Sequence, residues 1–573
     1  MLKANYDKYP ATKVQGEISL GWKAISAKLK EGLTAALAID CYTGVLEADL
    51  MEGLSAGFTN IVCTKNLMKS ELQVRQMTDR FMTDDVLFGF VSNLRIEDFF
   101  DAEKLAAARE SMRAAGPDTL VIGIGAALVA PKDCRLVYAD MARWEIQQRF
   151  RRHQVCGIGV DNAADPVSIQ YKRGYFIDWR ALDIYKESLF GRVDWWLDTN
   201  TADSPKLIGR ETFLRGMAAT ARKPFRVVPF FDPAPWGGKW MKDVCDLDRS
   251  AANYGWCFDC VPEENSLLLE VDGVKVEFPA NDLVLLHSRE LLGVPVEGRF
   301  GKDFPIRFDF LDTIGGGNLS LQVHPTADYI RKTFGMSYTQ DESYYIMDAE
   351  PGATVYLGFK EGADKDAMLT DLRAAQRAGQ AFDAEKYVNR IPAAKHDHFL
   401  IPGGTLHCSG AGAMVLEISA TPNLFTFKLW DWGRMGLDGK PRPINIEHGS
   451  KVIQWERNTS YVKDNLVNHI EPVVSGQGWD EVRTGLHPAE FIETRRTRFC
   501  APVEFCTADS VQVLNLVEGQ EAVVESPDGR FEPFTVHYAE TFIVPACVGK
   551  FRLRPGQAAQ ECMVMRAFVR FNP

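Results

Sequence analysis

Gln322 and His324 stand two residues apart in the apolar run 319–325, and His407 follows the turn Pro402-Gly403-Gly404. Strand side chains alternate between faces, so Gln322 and His324 project to the same side. Glu342 opens a second strand-like stretch at 342–348. Two imidazoles, a carboxylate and an amide oxygen suit a borderline divalent ion. Zn²⁺ comes first, with Mn²⁺, Fe²⁺ or Co²⁺ as alternatives. Each residue alone has an ordinary structural role, whereas the four together point to a metal centre with positions left for water or substrate. Glu417 lies in a third apolar run, 415–418. A carboxyl buried there either titrates high and serves in proton transfer or pairs with a nearby cation for structure.

The elements that must position these residues are mostly strands. Past Pro224, strand-like runs recur between Gly, Pro and Asp turns, at 225–230, 266–271 and 306–311. That texture predicts a β-sandwich or jelly roll. A segment at about 361–390, rich in Ala, Lys and Arg, reads as a helical insertion. Strands resume near 495 and predict a second, smaller β-barrel with no obvious ligand cluster. The first 220 residues read differently. Strands at 35–40, 61–63, 118–126 and 135–140 alternate with helices at 46–54, 101–115 and 144–152, the pattern of a mostly parallel sheet covered on both faces. Arg149, Arg151 and Arg152 either hold an anion or solvate their helix. The aromatic-rich stretch 165–220 reads as core.

The chain has 573 residues, room for three or four domains, and a formal net charge of -12. That balance argues against non-specific binding to nucleic acid or anionic membrane. The start lacks the apolar core of a signal peptide, and no apolar run is long enough to span a bilayer. Twelve scattered cysteines read as reduced thiols of a cytoplasmic protein. Cys257 and Cys260 form one CxxC without the second pair a zinc ribbon needs, so they read as structural thiols.

Over residues 225–573 the chain resembles the class I mannose-6-phosphate isomerases of the cupin superfamily. The likeness is carried by Trp236-Gly237-Gly238, by Leu319 to Pro325 as Leu-Ser-x-Gln-x-His-Pro, and by the stretch 342–360. Pro402 to His407, Glu417, Asp431-Trp432-Gly433-Arg434 and Asp438-Gly439-Lys440-Pro441-Arg442 complete it. The PxGxxH spacing ending at His407 is similar to the second cupin motif. The resemblance implies that Gln322, His324, Glu342 and His407 are zinc ligands. It also implies aldose–ketose isomerisation of a hexose phosphate, mannose 6-phosphate to fructose 6-phosphate. Glu417, Lys428 and Arg434 are then the catalytic candidates, and Ser320, Gln340 and Lys428 the substrate-binding ones. Two positions depart from the bacterial pattern: Gln340 replaces a lysine and Lys428 an arginine. Lys428 keeps its charge without the planar fork that grips an oxyanion. The alternative reading is therefore a metal-cupin sugar-binding or regulatory protein, or an isomerase of a different sugar.

The order of strands and helices in the first 220 residues resembles the uridine-kinase-like P-loop kinases. Residues 40–45 stand at the phosphate loop, but GxxxxGK[ST] is absent, which implies a degenerate domain. The expected fold is thus α/β plus β: a kinase-like parallel-sheet domain at 1–220, a metal-binding cupin domain at 221–490 and a small cupin-like β domain at 491–573. The expected partner is a small sugar or sugar phosphate, with no nucleic acid and no membrane. Self-association is left open.

Overall fold

The computed structural model describes residues 4–378, 380–436, 439, 442–557 and 560–571. Two compact units divide the chain. One comprises Ala11–Thr220 and Glu263–His287; the other comprises Met1–Pro10, Ala221–Pro262 and Ser288–Pro573.

The first unit carries a seven-stranded sheet. Its order is Ile18–Leu20, Lys206–Gly209, Trp195–Asp198, Arg135–Asp140, Leu37–Cys41, Thr119–Gly123 and Asn60–Cys63. The last five strands run parallel and the first two close one edge antiparallel. Leu37–Cys41 and Thr119–Gly123 are buried throughout, which explains their unbroken apolar runs. The chain order reverses at Leu37–Cys41, the kind of switch point at which α/β sheets open a crevice. Asp40 fixes the turn there. Its carboxylate accepts from the Gly125 and Ala127 amides at 3.0 and 2.7 Å and from the Tyr185 hydroxyl. Burial nevertheless pushes its pKa up to about 6, against the lowering effect of these bonds.

Arg149 corrects the expectation of an anion-binding or solvated arginine. It is buried, and its guanidinium donates to the Gly44 and Thr199 carbonyls at 2.8 and 2.7 Å and to Glu145 at 3.0 Å. The aromatics of 165–220 are core as expected: Trp179 and Trp196 are buried, and Trp196 stacks on Phe213 at 3.9 Å.

The chain leaves the first unit after Thr220 and returns to it over Glu263–His287. Ser266–Val271 is a strand of that returning stretch. It pairs in parallel with Ala11–Lys13 and antiparallel with Val274–Pro279, within the first unit. Asp272 and Gly273 both have positive φ, 48° and 79°, and make the tight hairpin. Phe278 of that hairpin packs edge-on to Phe213 and Trp196.

The second unit is antiparallel. A six-stranded sheet runs His398–Ile401, Glu342–Ala349, Ala413–Ala420, Ile306–Asp312, Trp256–Cys260, Phe230–Asp232. A five-stranded sheet runs Val388–Pro392, Thr354–Phe359, His407–Ser409, Leu321–Val323, Phe427–Trp430. The helix Lys365–Ala378 is the insertion. The C-terminal strands, from Glu471–Gly476 onward, form a six-stranded and a four-stranded sheet. Their centre is apolar, with Phe499, Leu514, Leu516, Phe542 and Phe551 buried together.

A buried ion triad braces the first unit. The Lys186 ammonium lies 3.1 Å from Asp140 and 2.6 Å from Asp282, over the Tyr42 ring. Lys186→Met leaves two carboxylates buried together and is expected to cost about 3–5 kcal/mol. Denaturant unfolding of the first unit reads this loss. Lys28→Ala, which breaks an exposed pair with Glu17 and Glu31, is expected to leave the unfolding midpoint in place.

Candidate metal centre

Three strands of the second unit bring the expected ligands together. Gln322 and His407 face each other across the antiparallel pair Leu321–Val323 and His407–Ser409. His324 follows that first strand, and Glu342 begins the strand Glu342–Ala349 of the other sheet. Ligand atoms of His324, Glu342 and His407 lie within 4.8 Å of one another, and all three residues are buried. His324 Nε2 stands 2.9 Å from Glu342 Oε2, and His407 Nε2 stands 2.8 Å from Glu342 Oε1.

Backbone carbonyls set the tautomers. His324 Nδ1 donates to the Phe425 carbonyl at 3.0 Å, and His407 Nδ1 donates to the Thr405 carbonyl at 2.8 Å. Both Nε2 atoms are thereby left as lone-pair donors turned toward the carboxylate, the arrangement that metal-ligating histidines require. The buried His324 Nε2 and Glu342 Oε1 make no hydrogen bond of proper geometry. Two lone pairs facing a carboxylate repel unless a proton or a cation lies between them, so the residues fit a divalent ion.

The titration behaviour follows. Burial alone would lower the His324 pKa, but Glu342 outweighs it and the value is raised. Burial alone would raise Glu342, but the two imidazoles reverse this and hold it well below the carboxylate range. Gln322 sits with its amide nitrogen 3.2 Å from His407 Nε2. To serve as a ligand its amide must turn to present Oε1, an orientation set by the partner it meets.

The other expected site residues take different places. The Gln340 amide donates to Glu342 Oε2 at 2.8 Å and to Glu417 Oε1 at 3.3 Å, so it ties a ligand to a catalytic candidate. Glu417 is buried opposite Asp309 across the strand pair. Burial, with the charges of Asp309 and Glu342, pushes its pKa well up, against Arg307. Asp309 itself is pushed up to about 6, chiefly by burial. Lys428 lies directly opposite Gln322 on the neighbouring strand, and its pKa is pushed down to about 8, by burial first and Arg442 second. Ser320 and Arg434 converge on Asp431. The Ser320 hydroxyl donates to it at 2.8 Å and the Arg434 guanidinium at 2.7 Å. Asp438, Lys440 and Pro441 of the motif quoted above lie outside the described residues.

Sequence reading did not single out Arg307 and Asp309 or the carboxylate Asp431. Arg307 Nη1 reaches Glu417 at 3.6 Å and Nη2 reaches Asp309 at 3.3 Å. The signal was present: two charges at alternate positions of the apolar run 306–311 place an ion pair on one face of a buried strand. Arg442 joins Asp431 at 2.8 Å and Ser320 at 3.1 Å.

Comparison with known proteins divides the chain in a similar way. A family model described as a domain of unknown function, DUF8485, matches residues 21–222. The Streptococcus mutans mannose-6-phosphate isomerase is 29% identical over 220 residues, covering 38% of this chain and 64% of that enzyme. The Bacillus subtilis mannose-6-phosphate isomerase ManA is 25% identical over 342 residues, 60% of this chain and 98% of that enzyme. A crystal structure of the Bacillus subtilis mannose 6-phosphate isomerase aligns with a TM-score of 0.49 and 20% identity over 60% of this chain and 99% of that one. The chain thus spans just under two thirds of the Streptococcus enzyme and is homologous to mannose-6-phosphate isomerases over 38–60% of its own length.

Purified protein is expected to carry a divalent ion that elemental analysis detects and that His407→Ala reduces by about tenfold or more. Metal must displace the proton on His324, whose pKa is raised. Affinity therefore falls on acidification, beginning above the ordinary imidazole value of about 6.5. Metal-free protein shows the opposite sign. The raised His324 contributes stability that is complete below the unfolded imidazole pKa and lost as pH rises through the folded value. Melting temperature against pH, with and without chelator, distinguishes the two slopes.

Proposed function

We propose that the second unit is a metal-dependent aldose–ketose isomerase acting on a hexose phosphate, with mannose 6-phosphate to fructose 6-phosphate as the leading reaction. The observation that carries this reading is the closure of His324, Glu342 and His407 to within 4.8 Å, with both Nδ1 atoms already committed to carbonyls. Homology to mannose-6-phosphate isomerases supports the same reaction class. Zn²⁺ is the ion proposed, with Gln322 as the fourth protein ligand; when bound it supplies Lewis-acid polarisation of sugar oxygens.

The chain's own residues handle the proton. Glu417 is buried, and burial with the charges of Asp309 and Glu342 raises its pKa; in its ionised form it takes the proton from the carbon beside the carbonyl and, as the acid so formed, returns it to the neighbouring carbon. Gln340 orients that carboxyl through a single amide hydrogen. Lys428 and Arg434 are the cations proposed to meet developing negative charge or the phosphate, with Ser320 beside them. Asp431 already draws on Arg434 and Ser320, so it would set their orientation toward an anion.

A second reading is favoured by Gln340. Its neutral amide stands where the resembled enzymes carry a lysine, which leaves the Glu417 side of the site one positive charge short. The same pocket would then bind a sugar, or isomerise a different one. For the first unit we propose a kinase-like fold without phosphoryl transfer. Its strand order reverses at Leu37–Cys41, its turn at 40–45 has no lysine, and Arg149 is spent on backbone carbonyls. Twelve unpaired cysteines suit a reducing compartment, and we propose the cytoplasm. Among the described residues no helix is long and apolar enough to cross a membrane.

The decisive assay couples fructose 6-phosphate formation from mannose 6-phosphate to a reporter, with and without chelator. Expected are turnover that chelation abolishes and Zn²⁺ restores, and a fall in kcat of about 10²–10⁴ for Glu417→Gln at unchanged metal content. Bound metal with no turnover on a panel of hexose phosphates establishes the binding reading instead. A thermal shift with ATP is expected to be nil; a stabilising shift overturns the degenerate assignment of the first unit.

A further inference from the structure

The smaller barrel has an apolar centre and a polar end, and the polar end opens into a cavity of about 540 Å³. We propose that this cavity is a second ligand site, for an uncharged polyhydroxylated molecule, the hexose unit of a neutral saccharide.

Strand alternation builds the site. Trp479, Glu481 and Arg483 share a face of Trp479–Gly485; Glu493, Arg495 and Thr497 share one of Ile492–Phe499; Arg566 and Phe568 share one of Cys562–Val569. Register sets Glu481 opposite Thr497, Arg495 opposite Arg566 and Gln512 opposite Phe568, so the same face continues across four strands. The charges interlock. Arg566 donates to Glu481 at 2.7 Å and to Gln512 at 3.2 Å, and Arg495 donates to Glu481 at 2.9 Å and to Glu493 at 2.6 Å.

Two observations separate this cluster from a packed structural brace. Glu481, Glu493, Gln512 and Arg566 are each at least nine-tenths buried, yet they line open volume instead of filling it. The volume lies within the range of about 300–1,000 Å³ of small-molecule pockets, and barrel mouths are a recurrent place for them. In addition, Arg566 packs against the Phe505 and Phe568 rings, 5.0 Å from each centroid, which fixes its guanidinium at the cavity wall.

The donor set selects the ligand. Glu481, Glu493 and Glu504 on the wall repel a free anion, and Arg495, Arg566 and Arg570 repel a cation. A hydroxyl can accept from a guanidinium and donate to a carboxylate at once, so vicinal hydroxyls match paired arginines and glutamates. Trp479 and Phe571, the latter exposed on the rim, offer apolar faces for the C–H side of a ring.

The test uses full-length, metal-depleted protein, which keeps sugar binding at the metal centre out of the measurement. Saturation-transfer NMR is recorded with methyl glycosides of mannose, glucose and galactose, and with mannose 6-phosphate and inorganic phosphate as anionic arms. The expected result is transfer to at least one neutral glycoside, with affinity weakened about tenfold in both Glu493→Gln and Phe571→Ala. Should Glu493→Gln fail to fold, Phe571→Ala at the exposed rim decides alone. No transfer to any neutral glycoside, binding of the anions only, or affinity unchanged in the folded variants overturns the proposal. Because isomerase turnover is not read, loss of the catalytic reading leaves this result standing, and the converse holds too.

Discussion

Everything at the candidate centre depends on one desolvated carboxylate. Glu342 is buried against His324 and His407, and an isolated carboxylate in that position would be driven to take up a proton. It stays ionised because positive character faces each of its oxygens. Both antiparallel sheets of the second unit are needed for this. One supplies Glu342, the other supplies His407 and, at a strand end, His324. The two carbonyls that hold Nδ1 come from Thr405, beside the glycine turn, and Phe425, in the loop before Phe427–Trp430. The histidines are therefore aimed by backbone that the turn and loop have already fixed, the outer support that ligand imidazoles need.

Much of this was legible because the residues carrying it are locally marked. A histidine two residues from a glutamine in an apolar run and a histidine after Pro-Gly-Gly are visible without coordinates. The strand Arg135–Asp140 and the helix Glu47–Leu54 were likewise readable from unbroken apolar runs and turn residues. What was not legible depends on partners far along the chain. Alternation marked 266–271 as a strand but could not say which sheet it joins. Arg149 lies in an arginine-rich helix end that reads as anion-holding or solvated, and the neighbouring Gly44 and Thr199 carbonyls make it an interior group. The polar end of the C-terminal barrel escaped for the same reason. Each of its charges, taken on its own strand, looks like an ordinary outward position, and registry across four strands gathers them.

Gln340 couples Glu342, a candidate ligand, to the buried Glu417. With an amide there, Arg307 is left to face Asp309 and Glu417 at 3.3 and 3.6 Å, in a pocket that also holds the ionised Glu342. Like charges at such a distance in low dielectric cannot all persist, so the proton moves onto the members with the weakest support. Arg307 and Gln340 thus face carboxyls on three strands, and their titration is set together.

The path of the backbone has a consequence for how the protein can be divided. The chain passes between its two units four times, at residues 10, 220, 262 and 287. Residues 4–10 belong with the second unit. There the Tyr6 hydroxyl bonds Asp259, and Arg226 reaches the Asp7 carbonyl at 2.7 Å and Glu540 at 2.9 Å. A gene fragment cut at 220 would leave Asp259 without Tyr6 and Arg226 without the Asp7 carbonyl, and would carry away a hairpin whose own sheet stayed behind. Neither unit is one continuous stretch of the chain, so no single cut separates them.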